Sequence, residues 1–280
     1  MKYSQLISSK RAQLLVLILL LTCASCANLR AIRDFADISA ESARYEALVN
    51  DYVESPERQK RYQPEPQHET LDKLLNERKI QKERLLLRLQ MVQEYMSALG
   101  QLAENKAVSY NTEVDALGNA VKQHNFLEAG EADAITGIAK VLLKAVTDNW
   151  RQKKLKSLIA EANAPFQEVV GALIKIVQRG FKSDYDIEKM AIGRYYETII
   201  HKSNDHAGIA ALREWKEYRL AQIEYRGEAI DTYAQLLKKI ADGHQTLYEE
   251  RDKLSSKVVL AQIDLYSKDL KNLYKKIKAL

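Results

Sequence analysis

Only two cysteines occur in the 280 residues, Cys23 and Cys26, and both lie near the N-terminus. The rest of the chain can form neither a disulfide nor a thiolate metal site, so apolar packing must hold it together. Glycine (10) and proline (4) are scarce for this length. Sheet proteins need frequent turn residues and long helices need few, so the shortage points to an all-α chain. Histidine is limited to His68, His124, His201, His206 and His244. No two of them stand three or four apart and there is no HExxH, which removes the common helical zinc arrangement. A GxSxG elbow, a Walker-type glycine loop and a dinucleotide fingerprint are missing as well. Di-metal sites in four-helix bundles use a Glu-x-x-His pair on each of two helices. Only Glu65 and His68 have that spacing, in a segment marked by prolines, and one such pair cannot build the site. The expectation is a non-enzymatic protein with no cofactor, no metal and no evident small-molecule substrate.

What is present begins with Ala12 to Cys26. Lys2, Lys10 and Arg11 precede an uninterrupted apolar run, Leu14 to Leu21, and the small pair Ala24-Ser25 stands before Cys26. A basic start, a short apolar stretch and small residues describe a secretory signal. The run is too short to cross a hydrocarbon core, which takes about 20 apolar residues. The stretch resembles the lipobox of bacterial lipoproteins, in which the cysteine receives diacylglycerol and becomes the first mature residue. It departs from that box in carrying Cys23 where leucine is usual. Bulky Leu21 and Thr22 precede Cys23, whereas Ala24 and Ser25 precede Cys26, which favours Cys26. The resemblance implies a signal peptide over 1–25, a membrane attachment through the N-terminal lipid and a place in the bacterial cell envelope. Ala27 is not the aspartate of inner-membrane retention, which implies the outer membrane facing the periplasm. With the three leading cations gone and no acid before Cys26, the net charge of +5 falls by three to +2. That balance disfavours nucleic acid, whose binders are strongly basic.

After Cys26 the chain divides into a segment over 26–66 and a helical bundle domain over 67–280. Phe35, Ile38, Tyr45, Leu48 and Val49 predict one helix. Pro56, Pro64 and Pro66 fall within a polar run, Glu54 to Glu69, that reads as a linker. Leu85, Leu89, Val92, Met96 and Leu99 predict a long helix ending near Gly100. Val114, Leu117 and Val121 mark a short stripe, and Asn125 to Gly130 a turn. Ile135, Ile138 and Leu142 form a third stripe. A fourth runs from Leu155 through Phe166 to Ile176 and keeps its phase across Pro165, which predicts either a kink or two collinear helices with Asn163 as N-cap. Arg179-Gly180 reads as a helix end and Ser183 as the cap of a new helix that stops at Ser203-Asn204-Asp205. From Leu220 to Tyr248, and again from Val259 to Leu280, apolar residues alternate three and four apart, the spacing of a coiled-coil-like seam. A turn at Lys253 to Ser256 makes these two helices an antiparallel hairpin. Asp242-Gly243 is a competing turn, and one long helix is the third option. The predicted architecture is an elongated bundle of long antiparallel helices.

Four surfaces are candidates for binding. Lys268, Lys271, Lys275 and Lys278 share one side of the last helix, either as a solvated face or as a stripe for an anionic surface. Tyr185, Tyr195, Tyr196, Tyr218, Tyr225 and Tyr233 are either the edge of a core or a binding face. Glu197 and His201 form an ordinary i, i+4 pair or, with Asp205 and His206, the nearest approach to a metal-binding cluster. Ala134 to Val146 is a core helix or, in a membrane-active effector of the pore-forming type, an inserting one. The leading expectation is an envelope scaffold that binds a protein partner or associates with itself through its helices.

Overall fold

A computed structural model describes residues 29–109 and 129–279, and every regular element among them is helical. Cys23, Cys26, the stripe at Val114, Leu117 and Val121, and the start of the turn predicted at Asn125 lie outside the described residues. The helices are α1 (Arg30–Ala43), α2 (Glu46–Gln59), α3 (His68–Ala103), α4 (Ala129–Thr147), α5 (Leu155–Lys175), α6 (Lys182–Lys202), α7 (His206–Glu249) and α8 (Lys257–Ala279). The 44 residues of α7 reach about 66 Å at roughly 1.5 Å per residue. Helix α7 packs on α5, α6 and α8, while α3 packs on α1, α2, α4 and α5. One continuous apolar core joins them. The all-α bundle read from the sequence is the observed architecture, and α8 folds back on α7 after a turn over 250–256. Asp242 and Gly243 lie inside α7.

The stretch from residue 29 to residue 66 is built into this core. Ile32, Phe35, Ala36, Ser39, Ser42 and Ala43 are buried along one stripe of α1, which packs between α3 and α8. Two helices therefore stand where one was expected, separated at Arg44 and Tyr45. The run expected as a linker is also ordered differently. Pro56 lies inside α2, and 3₁₀ turns cover Lys60–Tyr62 and Glu65–Gln67. Proline at 56 has no N–H for the carbonyl of Tyr52. The guanidinium of Arg78 takes that place, donating from Nη1 to the Tyr52 oxygen at 2.8 Å. His68 secures the turns, with Nε2 at 3.0 Å from the carbonyls of both Lys60 and Gln63.

The expected break at Arg179-Gly180 is absent. A π-helical segment, Ile176–Phe181, joins α5 to α6 without interruption, so Ser183 caps nothing and Gly180 ends nothing. The extra residue of a π-turn resets the phase, which lets Val177 and Phe181 stay buried before α6 presents Tyr185 and Ile192 to the core. Pro165 likewise sits inside a continuous α5, so Asn163 is not an N-cap. The Pro165 ring instead faces Gly137 of α4, where an added Cβ would stand 3.2 Å from its own Cβ. Two of the helix ends use asparagine. Asn105 and Asn149 adopt φ of 58° and 47°. Lys106 N bonds Gln101 O, and Trp150 N bonds Ala145 O, both at 2.8 Å, which satisfies carbonyls at the ends of α3 and α4. The cluster at Ser203 to Asp205 ends α6 as expected, and Asp205 caps α7 by accepting from Ala207 N at 3.1 Å and Gly208 N at 3.0 Å.

Candidate functional site

The polar chemistry of the bundle is concentrated where α2, α3, α6 and α7 meet. Arg78 and Asp184 are both buried, and Nη2 of Arg78 stands 2.5 Å from Oδ1 of Asp184. Ser55 donates to Asp184 and accepts from Arg78 Nη1 at 2.6 Å. Gln59 adds a bond to Asp184 at 3.2 Å, and the Arg78 guanidinium lies 4.1 Å from the Tyr52 ring centroid. One helical turn along α6, Glu188 takes a two-pronged contact from Arg58 (3.1 and 3.0 Å) and a third bond from Arg226 Nη1 at 3.1 Å. Asp51 completes this second group, 3.2 Å from Arg58 Nη1 and 3.5 Å from Arg226 Nε. Burial opposes the charge on Arg58, and the bonds and charge of Glu188 with Asp51 outweigh it, leaving the guanidinium pKa raised. Burial pushes the Tyr52 hydroxyl up, despite Arg78 beside it. Breaking such a buried pair by removing one partner typically costs about 3–5 kcal/mol.

Two concavities open beside this junction, with Tyr62 in the wall of each. The smaller, about 70 Å³, is lined by Arg58, Arg61, Arg219, Arg226, Gln222 and Glu188 among others. The larger, about 480 Å³, is mostly apolar and includes Pro64, Ile187, Met190, Tyr195 and Ile199. Ile187 (46%), Met190 (52%) and Tyr195 (39%) are well exposed there. The Tyr62 ring stands edge-on to Tyr195 with centroids 5.6 Å apart, and it tilts against Tyr196 at 6.4 Å.

Beyond the junction the α6–α7 hairpin continues as an arm. From His201 to Gln222 no side chain is fully buried. Trp215, Tyr218 and Tyr225 follow at spacings of three and seven, which places them on one face of α7. They are 59%, 59% and 57% exposed. Glu197 pairs with Lys216 across the hairpin at 2.9 Å rather than with His201.

The tyrosines named from sequence thus divide. Tyr185, Tyr196 and Tyr233 belong to the core, while Tyr195, Tyr218 and Tyr225 face solvent. All four lysines of the stripe are exposed on α8. Lys268 pairs with Asp264 at 2.7 Å; Lys278 lies 3.6 Å from Glu41 and 4.1 Å from the Tyr274 ring centroid. His244 is fully buried. Its Nδ1–H donates to Asn163 Oδ1 at 3.0 Å, and Nε2 accepts from the Tyr95 hydroxyl at 2.5 Å. Burial holds its pKa down at about 3. Ala134, Ile135, Ile138, Val141, Leu142 and Ala145 of α4 are core residues. Among the described residues no helix is long and apolar enough to cross a membrane, and no three His, Cys, Asp or Glu side chains gather as a metal site would need.

Sequence reasoning missed Arg58, Arg78, Asp184 and Glu188. A signal was available: Leu71, Arg78, Leu85, Val92 and Leu99 stand at intervals of seven, so the arginine occupies a seam position. An arginine on an apolar stripe announces a buried partner. No known family, curated protein or solved structure matches this chain.

Proposed function

We propose that this protein is a non-enzymatic helical lipoprotein of a bacterial envelope. Cys26 carries the lipid and holds the chain at the outer membrane facing the periplasm, and the α6–α7 arm is offered to a protein partner or a second copy. The N-terminal pattern, from Lys2 through the apolar run to Ala24-Ser25-Cys26, supports the anchoring part. The observation that carries the binding part is the aromatic face of the arm. Trp215 and Tyr218 project from a stretch, residues 201–222, in which no side chain is fully buried, and Tyr225 continues their face where α7 returns to the core at Ile223; tryptophan and tyrosine dominate the energetic centres of protein interfaces. Lys216 with Glu197 joins the two helices of the arm, and Asp205 caps α7, without using those rings. The test is crosslinking in native membranes with Trp215→Ala plus Tyr218→Ala. Both side chains are exposed, so helicity and melting stay unchanged, and the crosslinked species disappears. An unchanged crosslink pattern would refute the assignment of this face.

A further inference from the structure

The smaller concavity has a charge pattern that the scaffold reading does not use. Four arginines line it, and the only carboxylate among the lining residues is Glu188. Both Glu188 oxygens are already occupied, by Arg58 and Arg226. Arg58 spends its remaining donors on the Asp51 carbonyl and carboxylate. It therefore acts as a fixed floor. Arg226, which lines the concavity, is anchored by Glu188 and Asp51 through Nη1 and Nε, and its Nη2 carries no hydrogen bond among the described residues. On the rim, Arg219 donates from Nη1 to Gln222 at 2.8 Å and has no carboxylate partner among the described residues. Arg61, presented by the 3₁₀ turn after α2, has none either. Arg219 and Arg226 are seven residues apart and share a face of α7, and Arg61 lines the same concavity from the turn after α2.

We infer that Arg61, Arg219 and Arg226 form a cradle for a phosphate-class oxyanion. Three guanidiniums from two elements, the turn after α2 and one face of α7, suit a group with three or four oxygens better than a planar carboxylate with two. The space, about 70 Å³, is several times the roughly 10–15 Å³ that one water needs on the same measure. Two of the three arginines are uncompensated, so an anion neutralises charge that the fold leaves open. The oxyanion has two possible sources, a free phosphate and a lipid headgroup. The apolar groove across Tyr62, with Ile187 and Met190 exposed in it, is placed to take an acyl chain attached to the second. This inference does not rest on the envelope reading or on the aromatic face of the arm.

The experiment is calorimetric titration of the full chain, held in phosphatidylcholine nanodiscs, with inorganic phosphate and separately with dihexanoyl phosphatidic acid, using dihexanoyl phosphatidylcholine as the blank. Saturable binding of at least one phosphate ligand is expected. Arg61→Gln with Arg219→Gln should weaken it at least tenfold, while Lys253→Gln with Lys257→Gln, the same charge loss at the far end of α7, leaves it unchanged. Both arginines are exposed, so an unchanged melting curve certifies the fold. Arg61→Lys, which keeps charge and loses the fork, should fall between wild type and Arg61→Gln. Tighter binding of the phosphatidate, lost in Met190→Gln, assigns the site to a lipid headgroup; equal affinity for the two assigns it to free phosphate. No saturable binding of either ligand, or equal weakening by the lysine pair, would overturn the cradle.

Discussion

Gly243 of α7 offers a sharp test of how α1 belongs to the bundle. A Cβ there would stand 2.5 Å from both Cε2 and Cζ of Phe35 and 3.3 Å from Cγ of Tyr266. The Phe35 ring is fully buried and lies edge-on to Tyr266, centroids 6.3 Å apart, so it has little freedom to retreat. Gly171 in α5 is the matched control, because nothing stands within 4 Å of its missing Cβ. Replacing either glycine by alanine gains the same helix propensity, about 0.8–1.0 kcal/mol. At Gly243 alone, the overpacking term of about 1–3 kcal/mol enters against it. Gly171→Ala should therefore raise the stability by about 1 kcal/mol, and Gly243→Ala should lie about 1–3 kcal/mol below it. For a chain of this size that gap is roughly 2–12 °C in melting temperature, at about 2–4 °C per kcal/mol. Phe35→Leu should be better tolerated in the Gly243→Ala background than alone, since it opens the space the methyl needs. Thermal denaturation followed by circular dichroism measures all four variants. Equal stabilisation at the two glycines would refute the close packing of α1 on α7.

Leu270 is fully buried in α8 and Lys271 is exposed; Leu270→Ala should cost about 2–5 kcal/mol and Lys271→Ala almost nothing, read as denaturant midpoints. Arg78→Met should cost about 3–5 kcal/mol, because it strands Asp184 and the Tyr52 carbonyl freed by Pro56; pairing it with Pro56→Ala should recover part of the loss. His244 titrates at about 3 in the fold against roughly 6.5 unfolded, so its contribution is complete above pH 6.5 and lost as pH falls towards 3. The slope there is up to about 1.4 kcal/mol per pH unit, and His244→Gln should flatten it by one proton in stability measured against pH.

The helical class and the apolar seams of α7 and α8 were legible because they rest on long, uninterrupted spacings, whereas the turn between them was one of three options the spacing left open. Val259, Ile263, Leu270 and Ile277 are all buried, as the three-four alternation requires. Punctuation was harder to read. Pro56 signals a linker only if its lost hydrogen bond goes unreplaced, and the replacement comes from Arg78, far along the chain. Gly180 signals a stop only if the helix keeps its α pitch, and a π-turn carries it through instead. Two of the true stops, Asn105 and Asn149, use a residue that tolerates left-handed geometry less conspicuously than glycine. The basic cradle draws on Arg61, Arg219 and Arg226, which no local window joins, whereas the α8 lysine stripe was visible because it lies on one helix. Half of that stripe is then occupied by Asp264, Glu41 and Tyr274, contacts that depend partly on α1.

The mass of the mature N-terminal peptide decides whether Cys26 carries the anchor. Protein expressed in a bacterium and extracted from membranes should give a peptide that begins at Cys26 and carries diacylglycerol, with Cys26→Ser leaving an unprocessed or unlipidated chain and Cys23→Ser leaving lipidation intact. A diacylated Cys23, or a mature N-terminus without lipid, would contradict it.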